Sequence, residues 1–330
     1  LMLTRGVAHM IEGFGTDEQK QLFVEKVLMG EWAGTMCLTE AQAGSDVGAS
    51  KTKAVKNDDG SYQITGEKIF ITAGEHDLTD NIIHLVLART PGAPVGTKGL
   101  SLFIVPKVKV NGDGSLGESN DVYCNNIEEK MGIHGSPTCT LVFGQNDGCQ
   151  GFLLGEEMQG MKLMFHLMNA ARIDVGLQGL AAAGAAHQQA LGYSRERLQS
   201  RHWKEFKNPE APQVPIIEHP DVRRMLLSSK AYVEAMRAIL LQTSYYLDMS
   251  HLTEGEESEK YNSYVEMLTP ICKAWCSEWG MQVTHWCLQV HGGYGYTSDY
   301  PAEQFMRDAE IACIYEGTNG IQALDFVARK

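Results

Sequence analysis

The spacing of hydrophobic residues changes twice along the chain, and these changes constrain the fold more than any other feature of the sequence. Thr16 and Gln19 form a capping box, and the helix that they begin is predicted to run from Asp17 to about Leu28. From about Thr35 the period is two, as in β-strands, and beyond Gly155 it returns to helical spacing. The sequence therefore predicts an α+β protein in three parts: the end of an N-terminal helical domain (1–34), a middle β-barrel or β-sandwich domain (35–150) and a C-terminal helical bundle domain (151–330).

The middle part contains a predicted β-hairpin and three further strands. The turn Asp58-Asp59-Gly60 joins the two strands of the hairpin, because an Asp-Gly pair readily supplies the positive φ angles of a tight turn. Loops rich in Gly and Pro separate the other strands. The predicted strands are Lys51 to Lys56, Tyr62 to Ile71, Ile82 to Ala88, Leu100 to Val105 and Thr140 to Phe143.

The C-terminal part is predicted to be a bundle of long helices. A stripe of Met161, Met164 and Met168 is typical of a helix face that packs into a core. The alanine-rich run 181–186 lets a second helix approach closely, and Pro220 is expected to start a helix that reaches about Met249.

The connections of the bundle are predicted from proline and charge. Lys204 to Pro215 is expected to be a loop, and the acidic stretch 254–259 is expected to be a solvated connection. Thr269-Pro270 is expected to start the next helix, which ends at His291-Gly292-Gly293.

Composition restricts the class of protein and its compartment. The net charge of −13 and the pI near 5.3 argue against a nucleic-acid-binding surface, which needs clustered Lys and Arg. The eight cysteines are scattered without paired CxxC elements, which predicts a reducing, cytoplasmic compartment. No apolar run approaches the ~20 residues of a membrane span.

Glu316 lies between Tyr315 and Gly317 in an otherwise apolar segment and is a candidate general base. Burial against Tyr315 and Ile314 would raise the pKa of its carboxyl group towards the working pH, where a base can take a proton from a weak carbon acid. Gly317 removes side-chain bulk beside it. The alternative is structural: the segment is a helix start, with Thr318 or the glycine as its cap.

Three blocks of the sequence, in order, resemble the acyl-CoA dehydrogenase family of flavoproteins. The blocks are Cys37-Leu38-Thr39-Glu40 with Ala43-Gly44-Ser45-Asp46, Gly66 to Thr72, and Gln289 to Tyr296 with Tyr315-Glu316-Gly317-Thr318. The resemblance covers Thr16 to Lys330 and implies an acyl-CoA dehydrogenase-like fold. Segments 74–77, 130–137 and 195–199 are most similar to the 3-methylmercaptopropionyl-CoA dehydrogenase-type branch. Because longer helical and C-terminal segments flank this region there, the chain is expected to be truncated at both ends.

The resemblance implies FAD-dependent α,β-dehydrogenation of an acyl-CoA thioester. Glu316 would remove the α proton, and because no amino acid accepts hydride, the hydride from the β carbon needs a redox cofactor. No Gly-x-Gly-x-x-Gly follows a strand, which argues against a Rossmann-bound nicotinamide. The expected partners are the acyl-CoA substrate, an electron-transfer flavoprotein and further copies of the chain in a homodimer or homotetramer.

By the same resemblance, three regions are expected to bind FAD. Met36 to Thr39 would line the flavin ring, and Phe70 would pack on it. Thr72 would form a hydrogen bond near the hydride-accepting nitrogen of the flavin. Arg197 and Gln199 would reach the FAD of a neighbouring protomer. The expected cofactor residues are Met36, Leu38, Thr39, Gly44, Ser45, Phe70, Thr72, Arg197, Gln199, Gln289, Gly293 and Thr318. The expected substrate residues are Ser45, Asn169, Arg172, Tyr315 and Gly317.

Three alternatives stay open on the sequence. An acyl-CoA oxidase would use the same base but let oxygen reoxidise the flavin. A flavoprotein of the DNA-alkylation-response type shares the scaffold but would need a basic surface. The chain could also be an inert fragment, because the acyl pocket would lack a wall without the N-terminal helices.

If the methionine stripe borders that pocket, a sulfur-containing or short-to-medium acyl chain is expected.

Overall fold

A computed structural model describes residues 2–328, which form two compact units. Unit 1 comprises residues 2–130 and 134–171, and unit 2 comprises residues 131–133 and 172–328. One long helix contributes residues to both units. The three-domain division at residues 34 and 150 remains a prediction.

Unit 1 contains the main β-sheet and the first helices. Its helical elements are α1 (Met2–Phe14), α2 (Asp17–Gln19), a π-helical turn (Lys20–Val24), α3 (Glu25–Leu28) and the start of α4 (Gly160–Glu196). Its strands are β1 (Trp32–Cys37), β2 (Lys53–Lys56), β3 (Tyr62–Thr72), β4 (Asn81–Arg89), β5 (Leu100–Pro106), β6 (Val108–Val110), β7 (Leu116–Ser119), β8 (Val122–Ile127), β9 (Thr138–Phe143) and β10 (Gln150–Leu154). The sheet order is β1-β4-β5-β10-β3-β9-β8, with β2 beside β3 and β4, and β6 pairs with β7 separately.

Strand β4 is buried on both faces and organises the core of unit 1. Leu85 and Leu87 belong to the apolar cluster that includes residues of α1 and the start of α4. Val86 and Ala88, which point to the opposite face, belong to a second cluster with residues of β3, β5 and β9. A continuous apolar run is the pattern expected of such a doubly covered strand.

The predicted capping box is confirmed. The backbone N–H of Gln19 donates to Thr16 Oγ1 at 3.2 Å, and the backbone N–H of Thr16 donates to Gln19 Oε1 at 3.0 Å. The helical segment behind the box reaches Leu28, as predicted, but includes the π-helical turn.

The predicted hairpin is also confirmed, since β2 and β3 pair antiparallel. Its turn differs in detail from the prediction. Gly60 has a φ of +86°, whereas Asp59 is not in the left-handed region. Asp59 instead uses its carboxylate to accept the backbone N–H of Ser61 at 2.9 Å and the Ser61 hydroxyl at 2.6 Å. The aspartate therefore stabilises the turn as a local hydrogen-bond acceptor.

Unit 2 is a bundle of long helices. It contains the rest of α4, β11 (Leu198–Arg201), β12 (Gln213–Pro215), α5 (Pro220–Leu252), α6 (Gly255–His291), α7 (Ala302–Ile314) and α8 (Asn319–Ala328). Helices α4 and α6 approach closely at glycines: a Cβ on Gly179 would lie 2.4 Å from the carbonyl oxygen of Cys276. Pro220 begins α5, as predicted. Among the helices of residues 2–328, none has the length and apolar character to cross a membrane.

Three predictions for unit 2 are wrong. The acidic stretch 254–259 is not a connection, because α6 begins at Gly255, and Pro270 lies inside that helix instead of starting it. The Thr269 hydroxyl donates to the carbonyl oxygen of Val265 at 2.7 Å, in the helical turn that precedes the proline. The predicted loop ends in β12, which pairs with β11. In α6, tertiary packing against α5 overrides the local preference for a break.

The methionine stripe and the cysteines lie mainly in the cores. Met164 is fully buried, and Met161 and Met168 pack against the same cluster. All eight cysteines are free thiols, and six are buried. The buried cysteines are Cys37, Cys139 and Cys149 in unit 1 and Cys272, Cys276 and Cys287 in unit 2.

Candidate active site

The first group of predicted site residues lies in unit 1, where the end of β1 meets β3. The backbone N–H of Ile69 donates to the carbonyl oxygen of Thr39 at 2.9 Å, and Lys68 Nζ donates to the carbonyl oxygen of Leu38 at 3.0 Å. The structure therefore brings the predicted segment from Met36 to Thr39 beside the β3 residues that precede Phe70.

Phe70 sits at an irregularity of β3 and exposes its ring. The pairing of β3 with β9 shifts register between Lys68 and Ile71, and Phe70 has a φ of +59°. The residue is 60% exposed, and Thr72 is exposed on the same strand. A strained bulge that presents an apolar ring is common beside binding sites, and this ring is available to a flat apolar ligand.

A buried ion pair supports the segment that carries these residues. Lys68 Nζ lies 2.8 Å from Glu40 Oε1, and both side chains are buried. Burial opposes ionisation of Glu40, but the Lys68 charge and hydrogen bonds from Lys68, Ser50 and Lys51 hold the pKa of Glu40 well below its usual range. The pair thus fixes the chain just after Thr39. Gly44 and Ser45 follow in an exposed loop.

A second group of predicted residues lines a cavity of about 490 Å³ in unit 2. Arg197, Gln199 and Gly293 all border this cavity. The guanidinium carbon of Arg197 lies 5.6 Å from the ring centre of Tyr294, within cation–π range. Gln289, on the last turn of α6, is exposed and does not line the cavity.

The candidate base Glu316 occupies a bend between α7 and α8. Glu316 has a φ of +54°, and Gly317 follows with a φ of +85°. Part of the residue reaches solvent, but Oε2 is buried and has no hydrogen-bond partner among residues 2–328. Burial raises the pKa of Glu316 to about 7, and the charges of Arg172 and Lys273 partly oppose this rise.

The other predicted residues near Glu316 have structural contacts of their own. Arg172 is buried and pairs with Asp325, with 3.0 Å between Nη1 and Oδ2. The Tyr315 hydroxyl donates to the side-chain oxygen of Gln178. The Thr318 hydroxyl accepts the backbone N–H of Ile321 at 3.3 Å and caps α8, so the structural interpretation is correct for that hydroxyl. Asn169 belongs to unit 1, where it is half-buried on α4. Ligand contacts of these residues remain predictions.

Two residues beside Glu316 were not predicted from the sequence. Lys273 is fully buried and donates to Asn319 Oδ1 at 2.9 Å, and burial lowers the pKa of its ammonium group to about 8. Gln322 is fully buried and donates to the carbonyl oxygens of Glu316 and Gly317 at 3.3 and 3.1 Å. For Lys273, the sequence contains one signal of burial, because this lysine lies between the apolar residues Cys272 and Ala274.

These features define an α+β protein with a mixed-sheet unit and a helical unit, each of which carries part of the predicted site. The chain belongs to the acyl-CoA dehydrogenase family. Its residues 35–145 match the model of the acyl-CoA dehydrogenase middle domain, and residues 158–330 match that of the C-terminal domain.

Several known proteins are similar over nearly the whole chain. A butyryl-CoA dehydrogenase of Syntrophomonas wolfei is 46% identical over 99% of this chain and 54% of its own length. A 3-methylmercaptopropionyl-CoA dehydrogenase of Ruegeria pomeroyi is 45% identical over 100% of this chain and 55% of its own length. The crystal structure of an acyl-CoA dehydrogenase complexed with FAD from Bacillus anthracis is 28% identical, with a TM-score of 0.79, over 96% of this chain and 50% of that chain.

The predicted family is confirmed, and a relative with the name of the predicted branch is among the matches. The chain spans about half the length of the curated relatives described here.

Proposed function

We propose that the protein removes two hydrogens, one from the α carbon and one from the β carbon, of an acyl-CoA thioester. The observation that carries this proposal is the carboxylate of Glu316, whose Oε2 is buried without a hydrogen-bond partner among residues 2–328 and whose pKa is raised to about 7. A base with a pKa near neutrality is deprotonated at working pH yet basic enough to take a proton from a weak carbon acid.

The cofactor that we propose is FAD. Its flavin would meet the exposed ring of Phe70 and the segment from Met36 to Thr39, and its diphosphate or adenosine part would meet Arg197 of another copy of the chain. An exposed aromatic ring suits a planar ring system, and a guanidinium group suits phosphate oxygens. Bound FAD would supply the acceptor for the hydride, which no side chain can provide.

The chain itself would bind the thioester and hold the proton. Glu316 would take the α proton, and its backbone N–H would donate to the thioester oxygen as negative charge develops there. Tyr315 and Gly317 flank the base, and Asn169 and Ser45 are proposed to contact the substrate. Arg172, which pairs with Asp325, would act mainly through the electrostatic field that it imposes on Glu316.

The names of the two curated relatives favour a short, straight or sulfur-containing acyl chain. Each methylene in an apolar pocket contributes only about 1–3 kcal/mol, so turnover of butyryl-CoA and 3-methylmercaptopropionyl-CoA is expected to agree within about a hundred-fold. We further propose that electrons pass to an electron-transfer flavoprotein and that the protein works as a homo-oligomer in the cytoplasm.

The test is anaerobic reduction of the flavin. The purified protein is mixed with butyryl-CoA, 3-methylmercaptopropionyl-CoA, a branched acyl-CoA and a long-chain acyl-CoA, and loss of flavin absorbance is followed. Bleaching by the first two supports the proposal, whereas no bleaching by any thioester refutes it. Oxygen is then admitted. In an oxidase the flavin absorbance returns at once and peroxide forms, whereas in a dehydrogenase the flavin stays reduced until a flavoprotein acceptor is added.

A further inference from the structure

The bend that carries the candidate base has two consecutive residues in the left-handed region. The φ angles are +54° at Glu316 and +85° at Gly317. Glycine adopts such angles freely, but a glutamate does so only when its surroundings hold it there. The conformation of residue 316 therefore needs an external support.

The side-chain amide of Gln322 supplies contacts of the required kind. Its Nε2 lies 3.3 Å from the carbonyl oxygen of Glu316 and 3.1 Å from that of Gly317. Both partners can only accept, so the group that faces them must be the NH₂. A Cβ at position 317 would lie 2.6 Å from Nε2, which means that this approach also requires the glycine.

Gln322 is itself held by a helix with anchors to two others. Helix α8 is tied to α4 by the Arg172–Asp325 ion pair of 3.0 Å. It is tied to α6 by the hydrogen bond of 2.9 Å from Lys273 to Asn319. The Gln322 side chain is fully buried between these anchor points along α8. It can therefore act as a fixed support instead of following the bend.

We propose that Gln322 is a positioning residue for the base: its amide clamps the carbonyl groups of residues 316 and 317 and so keeps the carboxylate of Glu316 in its enclosed position. This inference deepens the proposed function, because it concerns the same base.

The electrostatic surroundings make the clamp measurable. Arg172 on α4, Lys273 on α6 and the adjacent Tyr315 interact electrostatically with Glu316. Two further groups face these cations: Asp325 on α8 pairs with Arg172, and Cys313 on α7 lies near Lys273. Gln322 is neutral, so its replacement by another neutral residue adds and removes no charge. A change in the pKa of Glu316 would then report a movement of the carboxylate towards water, which lowers that pKa from about 7 towards its ordinary value.

The experiment compares Gln322→Met with Thr243→Val. Methionine has a similar length but no donor, while Thr243 is a buried residue of α5 that bonds Ile239 and Cys272 away from the bend. The pKa of Glu316 is read from the carboxyl band in infrared difference spectra, with Glu316→Gln identifying the band. The rate of flavin reduction is measured in parallel at saturating acyl-CoA.

Gln322→Met is expected to lower the pKa of Glu316 and to slow reduction by about 10²-fold, because displacing a reacting group by about 1 Å has effects of that size. The acyl-CoA concentration that gives half of the maximal reduction rate should stay unchanged. Thr243→Val should lower the melting temperature but leave the pKa and the rate as they are. An unchanged pKa and rate in Gln322→Met would overturn the inference.

If Gln322→Met does not fold, Gln322→Asn keeps a donor but is one methylene too short to reach both carbonyls, and the same two measurements apply. Wild-type values in Gln322→Asn would then overturn the inference. The infrared measurement needs no turnover, so the clamp is tested even if no acyl-CoA reduces the flavin and the proposed function fails.

Discussion

The ammonium group of Lys273 donates a hydrogen bond of 2.9 Å to the side-chain oxygen of Asn319, the first residue of α8. This bond holds a buried positive charge beside the bend that carries Glu316. The charge favours the carboxylate form of Glu316, whereas burial favours the neutral acid, and burial is the larger effect. The balance between them sets the pH at which the candidate base works.

Replacing the base by its amide tests its role directly. Glu316→Gln keeps nearly the same shape, so FAD should stay bound while flavin reduction by acyl-CoA falls by at least the roughly 10²- to 10⁴-fold typical of a general base. The flavin spectrum gives occupancy, and anaerobic stopped-flow absorbance gives the rate. Reduction near the wild-type rate would assign the proton transfer to another residue.

The rate of flavin reduction should depend on pH with an apparent pKa near that of Glu316, which is about 7. The base acts only when deprotonated, so the rate should rise about tenfold per pH unit below this value and level off above it. A profile measured between pH 5 and 9, with flavin occupancy checked at each point, is the test. A rate that falls as pH rises through 7 would contradict the assignment.

Lys273→Met should move this profile to higher pH. Loss of the ammonium group removes a charge that stabilises the carboxylate, so the pKa of Glu316 rises and less base is deprotonated at neutrality. Ser277 still donates to Asn319 at 3.1 Å, which helps to keep the start of α8 in place. Lys260→Met, an exposed site on the same helix, is the matched control and should leave the profile unchanged. A shift to lower pH would show that the variant has opened the site to water.

Arg197→Ala should weaken FAD binding and oligomer formation together, if one arginine serves a cofactor that lies across a subunit interface. Loss of a charge-assisted hydrogen bond typically costs about 1.5–3 kcal/mol, enough to lower flavin occupancy on dilution. Size-exclusion chromatography with detection at the flavin band measures both effects. Arg195→Ala, an exposed arginine in the last turn of α4, should behave as wild type. An Arg197→Ala protein that elutes unchanged and fully coloured would remove this residue from the site.

Glu40→Gln should destabilise unit 1 strongly, because it leaves the buried ammonium group of Lys68 without its counter-charge. Breaking a buried pair in this way typically costs about 3–5 kcal/mol. Urea denaturation measures the loss, and Glu67→Gln, at an exposed position of β3, should cost little. The pKa of Glu40 is depressed in the folded state, so its contribution is present above the ordinary glutamate pKa and is lost as pH falls below it. An equal effect of the two substitutions would contradict the importance of the pair.

The sequence predicted best where local pattern and tertiary environment agree. Strands β4 and β5 are long apolar runs, and both are buried throughout almost their whole length. Strands β7 and β8 are largely exposed and polar. Their sequences therefore carry no clear alternation of apolar and polar residues, and the pattern does not predict them. Helix α6 runs through Pro270 because packing compensates for one lost hydrogen bond, which no local rule anticipates.

The candidate site follows the same distinction. Glu316 could be proposed from its neighbours in the chain, because the segment from Tyr315 to Thr318 is contiguous. The pair of Arg172 and Asp325, and that of Lys273 and Asn319, join residues far apart in sequence. Such pairs depend on how the helices pack, which the spacing of residues along one helix does not reveal.

Three buried thiols lie in each of the two units, so the protein contains its own reporters of local unfolding in each core. Burial raises the pKa of every one of them, so alkylating reagents should react only when the surrounding core opens. Pulsed alkylation followed by peptide mass spectrometry would therefore give separate opening rates for the sheet core, from Cys37, Cys139 and Cys149, and for the helical core, from Cys272, Cys276 and Cys287. The two halves of the molecule can thus be ranked in kinetic stability without introducing a single label by mutation.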